Sequence, residues 1–585
     1  MKHSHGDGGA VAFRRGAGLL VMVLLVTGNP AARAGLWTWT GLGNDDSWST
    51  TNNWSPAGPP ASDNATTLIF GGCNRLTPEQ DLRDAFQFGG LAFTTNAGAF
   101  CLGGTSNAFG QPGWRSLQFS GSNTSITVLG GDNVAICGAL VTPASGATQT
   151  ITVATGMTLQ VPWIKGGLRR VVVKKGSGML RVYEHADGQH YLERSATVAP
   201  EYRVEEGVVE MGTRTNRHVL ASDGTGWKAD PAEVKASYNL TIGDGVGSAT
   251  SAVFRLIGPA QTQLIDNNLA ITVNADGLLD LNGVQNWDPD NPLSLAISNG
   301  LVRLGGSTLD LRNGHTLDLR GSARIEGVGA SAIRLYDGAT NFVDSGATRA
   351  TLAADAALVS ATNNAGIVFQ VNGALDVIGH LGAGGAGSHL VKRGAGTLAI
   401  SNLTHAARTN RVEEGVLLLR GVSRCAALSG AAQWVVSATA TLGGSGIISN
   451  AAVVAQGGTL APGSGAVAGV FTIESDLTLA PGSALEIDLA PADPVTGRMH
   501  DQLVLQKGVL TGLTNAALRV TLHDRPGVDD QTFRIVSGGG DLAGQSFCAV
   551  TLTGRYGRYA EVSTGNGYVD LTIRSKLVGT GVFLR

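Results

Sequence analysis

Val173-Lys174-Lys175-Gly176-Ser177-Gly178-Met179-Leu180 returns more than two hundred residues later as Val391-Lys392-Arg393-Gly394-Ala395-Gly396-Thr397-Leu398. Downstream of each, Arg203-Val204-Glu205-Glu206-Gly207-Val208 returns as Arg411-Val412-Glu413-Glu414-Gly415-Val416. The gap between the two halves is ten residues longer in the first copy, so the strands are kept while the connecting loop varies. A stacked β repeat behaves this way: neighbouring rungs constrain one another, and insertions go to the loops. The repeat positions are Lys174, Gly176, Gly178, Leu180 and Gly207 in one copy, and Lys392, Gly394, Gly396, Thr397, Leu398 and Gly415 in the other. The glycines are expected where the chain turns into a strand, in conformations a Cβ would oppose, and Leu180 and Leu398 are expected to point into the coil.

The composition agrees. Gly makes up 84 of 585 residues, charged residues only 15% and aromatic residues 5%. Such a chain suits short strands joined by tight turns, because Gly supplies positive φ without steric cost. Outside the repeats the hydrophobic period is two. Leu279-Asp280-Leu281, Leu309-Asp310-Leu311-Arg312 and Leu317-Asp318-Leu319-Arg320 put leucines on one face and Asp280, Asp310 and Asp318 on the other. Helix is expected only at Thr77-Pro78-Glu79-Gln80, read as a capping box opening a short helix to about Ala85, and as one turn at Asp230-Pro231-Ala232-Glu233.

The pattern K-x-G-x-G-T-L, a strand, a polar loop and V-x-x-G-x-L-x-L resembles the autotransporter-associated β-strand repeat, also called the passenger-associated transport repeat. The second copy, 392–419, is the closer match. The resemblance implies an all-β, right-handed parallel β-helix (a solenoid) from a bacterium, secreted or displayed at the cell surface, with an N-terminal cap and a C-terminal β block. After about residue 440, Leu460-Ala461-Pro462-Gly463 and Leu479-Ala480-Pro481-Gly482 resemble the stable final rungs of autotransporter passengers. The expected organisation is 1–34 export signal, 35–160 Trp-rich cap and first rungs, 161–440 β-helix with repeats at about 173–212 and 391–421, and 441–585 C-terminal block. Autotransporters carry a membrane β-barrel after the passenger. The sequence reaches Arg585 directly after rung-like units, so a periplasmic location or a separate secretion system is the alternative to self-translocation.

Arg14 and Arg15, the apolar run 19–26 and Ala32-Arg33-Ala34 have the order of a secretory signal, with a mature start near Gly35. An apolar run of about ten residues is too short to span a bilayer, which takes ~20, and no other segment approaches that length. No integral membrane segment is therefore expected in the mature chain. A net charge of −3 argues against a nucleic-acid partner, since that affinity comes mainly from neutralising phosphates.

Four of the nine tryptophans, Trp37, Trp39, Trp48 and Trp54, fall in one short stretch. They suit either a cap over the first rung or a glycan-binding face, and the W-T-G…W…N-W pattern also resembles the opening of mature proteins with this repeat, which favours the cap. Chemistry is thinly represented. Gly382-Ala383-Gly384-Gly385-Ala386-Gly387 matches a dinucleotide fingerprint but runs into the repeat strand where a helix is required. Glu184, His185, Asp187, His190 and Glu193 are close in sequence but in a loop, which fixes no ligand geometry. No G-x-S-x-G, H-E-x-x-H or P-loop is present. The five cysteines are sparse, and Cys73–Cys101 or Cys101–Cys137 pairing is the disulfide option. The reading is an exported, non-enzymatic β-helix with a structural or adhesive role, no cofactor or metal, and a surface component or glycan as partner. The competing readings are a polysaccharide-acting β-helix enzyme and a glycan-binding module using the tryptophans.

Overall fold

Alternation of period two gives strands, and a strand that must bury one face finds its partner one coil away. In the computed structural model Asn239–Ile242 pairs in parallel with Ala270–Val273, which pairs with Ser294–Ser298, then Thr316–Arg320, Thr340–Val343 and Ile367–Val371. A second ladder runs through Ala252–Ile257, Gly277–Asp280, Leu301–Arg303, Arg324–Glu326 and Ala350–Ala353. A third begins at Thr308–Leu311 and continues through Ala332–Tyr336 and Asp355–Val359. Parallel neighbours need a long crossover, and here the crossover of each ladder is made from strands of the others. The result is a parallel β-helix. The structure describes residues 35–575 except 84, 104–116, 137–139, 142–147, 162–163, 166–170, 183–191, 194–200, 213–217, 221–226, 230–238, 258–269, 284–292, 312–313, 360–365, 384–387, 407, 426–432, 450–451, 464–466, 490–499, 524–529 and 555–557.

Register makes the core. Ile242, Val273, Ile297, Leu319, Val343 and Val371 occupy one column, each over the last, and none is more than 2% exposed. Burying an aliphatic side chain contributes about 1.5–3 kcal/mol, and the column repeats this at every rung. Slipping the register by one residue would turn the whole set to solvent, which is why pairing is so strongly specified.

Both ends are closed by an antiparallel strand. Leu36–Trp39 pairs in parallel with Thr67–Phe70 and, on its other side, antiparallel with Trp54–Ser55. At the far end Gln531–Asp541 pairs in parallel with Gln502–Thr511 and antiparallel with Arg558–Ser575. These strands cover backbone edges that would otherwise be left unpaired.

The helix expected at 77–85 does not form. The Glu79 N–H donates to Asp46 O at 2.7 Å and Glu79 O accepts from the Trp48 N–H at 2.9 Å, so segment 46–48 takes the backbone groups a helical turn would use. Gln80 does not reach back as in a capping box. Its Oε1 accepts from the Leu82 and Arg83 N–H groups and its Nε2 donates to Arg83 O. One isolated turn has too little cooperativity to compete with tertiary pairing. The export signal, the turn at 230–233 and loop residues Glu184, His185, Asp187, His190 and Cys137 lie outside the described residues, as does the side chain of Glu193.

Candidate functional site

The two halves of each repeat are successive rungs. Val173 pairs with Arg203 and Lys174 with Val204; Val391 pairs with Arg411 and Lys392 with Val412. Alternation then turns Lys174 and Lys392 inward, where they are 2% and 0% exposed. A buried ammonium needs an acceptor for each of its three protons. Lys174 Nζ donates to the carbonyls of Lys175, Gly176 and Glu206 at 3.0, 2.5 and 2.8 Å. Lys392 Nζ donates to those of Arg393, Gly394 and Glu414 at 2.9, 2.6 and 3.0 Å. Two acceptors come from the lysine's own turn and the third from the next rung, so each lysine ties two coils together. Burial pulls Lys174 down to about 7 and Lys392 to about 8, with Glu206 and Glu414 pulling the other way.

The glycines shape that cradle. Gly176 and Gly394 have φ of +71° and +80°, which turns their carbonyls toward Nζ. A Cβ on Gly207 would fall 2.4 Å from Gly176 O and 2.7 Å from Lys174 Nζ, and one on Gly415 would fall 2.4 Å from Gly394 O. Gly178 and Gly396 lack positive φ, but a Cβ there would meet backbone oxygens of the preceding rung at 2.2 and 2.0 Å. Leu180 stacks between Leu159 and Val209, and Leu398 between Leu375 and Leu417, all inside the coil. Thr397 opens its strand between Ala374 and Val416. Outside, Lys175 pairs with Glu205 at 2.9 Å and Arg393 with Glu413 at 2.6 Å. Glu414 also accepts from the Gly394 N–H at 3.0 Å.

Asp280, Asp310 and Asp318 share no surface: they stand on three different ladders. Each faces an arginine: Asp280 and Arg255 at 3.0 Å, Asp310 and Arg334 at 3.7 Å, and Asp318 beside Arg320. Asp280 belongs to an alternating column, Arg181, Glu210, Arg255, Asp280, Arg303 and Glu326, aligned rung over rung. Arg181 meets Glu210 at 2.8 Å, and Arg255 reaches both Glu210 and Asp280. The sequence does carry this column, but its members are separated by unequal intervals that only the coil lengths bring into line.

Three of the four N-terminal tryptophans are interior. Trp39, Trp48 and Trp54 are at most 2% exposed; Trp54 packs edge-on against Trp39, Trp48 and Phe70, and Trp48 edge-on against Phe86 and tilted against Phe70. The Trp54 indole N–H donates to Trp48 O at 2.9 Å. These three rings present no open face to a sugar; Trp37 is half-buried. Gly382 and Ala383 end the strand Ala374–Ala383, the rest of the fingerprint (384–387) lies outside the described residues, and the next described element is the strand Leu390–Arg393. Cys73 is an exposed free thiol, which removes the Cys73–Cys101 option. Among the described residues no group of three or more His, Cys, Asp or Glu side chains is placed to hold a metal, and no helix is long and apolar enough to cross a membrane.

No family model matches the chain and no curated protein is similar to it. Among solved structures it is similar to the crystal structure of the Haemophilus influenzae Hap adhesin, at 11% identity and a TM-score of 0.27, over 87% of this chain and 64% of that one. The chain thus spans less than two thirds of that protein's length, and a likeness this loose bears on neither family nor function.

Proposed function

We propose that the chain is an exported, non-enzymatic β-helix that works as a structural or adhesive rod at the cell surface or outside the cell. One observation carries this reading: among the described residues, the repeat lysines, the column of acids and arginines and the N-terminal tryptophans are taken up by contacts that hold the coils together. The repeat lysines clamp successive coils, the outward acids and arginines alternate along a column, and three of the N-terminal tryptophans fill the cap. The repeats belong, on this reading, to the autotransporter-associated β-strand type, with 1–34 removed as a signal and 35–160, 161–440 and 441–585 as cap, repeat-bearing body and terminal block. The order of charged, apolar and Ala-x-Ala segments in 1–34 supports export.

Protease shaving of intact cells with fractionation tests it. The chain should be cleaved without lysis or recovered from the medium, and its N-terminus should lie near Gly35. A full-length chain retained in the cytoplasm and beginning at Met1 would defeat the proposal.

A further inference from the structure

The outward side of the second repeat holds an open depression of about 330 Å³ bordered by His389, Val391, Arg393, Arg408, Arg411 and Glu413. The strand pairing builds it. Val391 and Arg411 face each other on adjacent rungs, and the alternation that sends Lys392 and Val412 inward sends Val391, Arg393, Arg411 and Glu413 outward. Val391 is on the outer side yet only 4% exposed, because the long side chains around it cover it.

Most outward arginines meet an acid, on the next rung as Arg181, Arg255 and Arg534 do or on their own strand as Arg203 and Arg320 do. Here Glu413 is taken by Arg393 at 2.6 Å. Arg408 and Arg411 are exposed and form no ion pair among the described residues. Two guanidiniums without an ion pair among the described residues therefore border one groove in a chain whose net charge is −3. A guanidinium fork fits a carboxylate or a sulfate through two parallel N–H bonds. The volume lies in the range of small-ligand sites, roughly 300–1,000 Å³.

We propose that this groove binds an acidic saccharide, with Arg408 and Arg411 holding the carboxylate or sulfate of one sugar. A net charge of −3 does not suit a nucleic acid, whose binding scales with the phosphates neutralised. The proposal rests on the extracellular reading only for where the ligand is met. It is tested on purified protein, so a negative result here leaves the shaving result standing, and the reverse.

The test compares the purified exported chain on immobilised polygalacturonate (carboxylate), heparin (sulfate), a DNA oligonucleotide and neutral dextran. Retention on either polyanion, eluted by salt, together with passage through dextran is expected, and which matrix retains the chain tells which anion is recognised. Arg408→Gln with Arg411→Gln should weaken that binding by about tenfold or more, each lost charge-assisted contact being among the stronger hydrogen bonds. Arg519→Gln, remote on the rod and paired with Glu486, should bind as the parent does. Circular dichroism and melting of each variant confirm folding, since all three substitutions are on exposed side chains. Absence of binding to both polyanions, equal retention on dextran, tighter retention of a DNA oligonucleotide, or an unaffected double variant would each overturn the proposal.

Discussion

Replacing Lys392 with Met keeps most of the aliphatic stem and removes the ammonium. The carbonyls of Arg393, Gly394 and Glu414, now 2.6–3.0 Å from Nζ, would face a methyl group. A buried acceptor left unmade costs ~1–3 kcal/mol, and hydrogen bonds from a charged donor contribute ~1.5–3 kcal/mol each. Relief from burying an ammonium works in the opposite direction and amounts to several kcal/mol. The three acceptors outweigh it, and the net loss should be roughly 3 kcal/mol. The loss should be local, because each rung in a repeat array touches only its neighbours. Hydrogen exchange should therefore show faster opening of amides in 390–420, with little change in the strands near 240–300. There is also a pH signature. Burial holds Lys392 at about 8, below its ordinary 10.5, so between those values the unfolded chain binds more protons than the folded one. Stability of the parent relative to Lys392→Met should then rise as pH increases from about 8 toward 10.5, and be flat below 8. A variant within about 0.5 kcal/mol of the parent, the spread of ordinary surface substitutions, would show that the lysine is not a clamp.

Arg255 stands between Glu210 and Asp280, whose side chains are only 9% and 8% exposed. Arg255→Ala should cost roughly 2–4 kcal/mol in urea unfolding, because the nearly buried Asp280 loses its ion pair and Glu210 keeps only Arg181. Arg519→Ala, at the exposed Glu486 pair, should cost less than ~1 kcal/mol. Gly396→Ala would place a Cβ 2.0 Å from Gly373 O; a fall in melting temperature of several degrees is expected, equivalent to about 2 kcal/mol or more, and a neutral outcome would mean the rungs separate more easily than the ladder implies. Burial pushes Asp501 up to about 7 from 3.8, against N–H bonds from Asp488 and Gly469. The folded chain then binds the extra proton, so this contribution to stability should fall as pH rises from about 4 to about 7, and Asp501→Asn should remove that slope in a pH series of denaturation midpoints.

Much of the fold is legible in single strands. Alternation at 279–281, 309–311 and 317–319 identifies which residues enter the core, and the leucines there are at most 3% exposed. The recurrence of K-x-G-x-G and V-E-E-G with a variable gap points to stacked strands before any coordinate is known. The Thr77-Pro78-Glu79-Gln80 signal misleads because it is a local preference worth little once segment 46–48 offers Glu79 two backbone bonds. The tryptophan cluster reads equally as cap or sugar platform along the chain; only packing against Phe70 and Phe86 takes Trp39, Trp48 and Trp54 out of reach of solvent.

What the sequence determines alone is local: strand period, turn position and the inward or outward sense of each side chain, all set by sterics within a few residues. Which residue stands over which is decided only by the tertiary structure. The repeat lysine and the glutamate carbonyl it grips are 32 residues apart in one copy and 22 in the other, so no fixed spacing announces the contact. Asp280, Asp310 and Asp318 look alike in sequence and go to three different ladders. Coil length, set by loops of unequal size, brings distant residues into register at each rung, and the contacts that clamp the coils exist only after that register has closed.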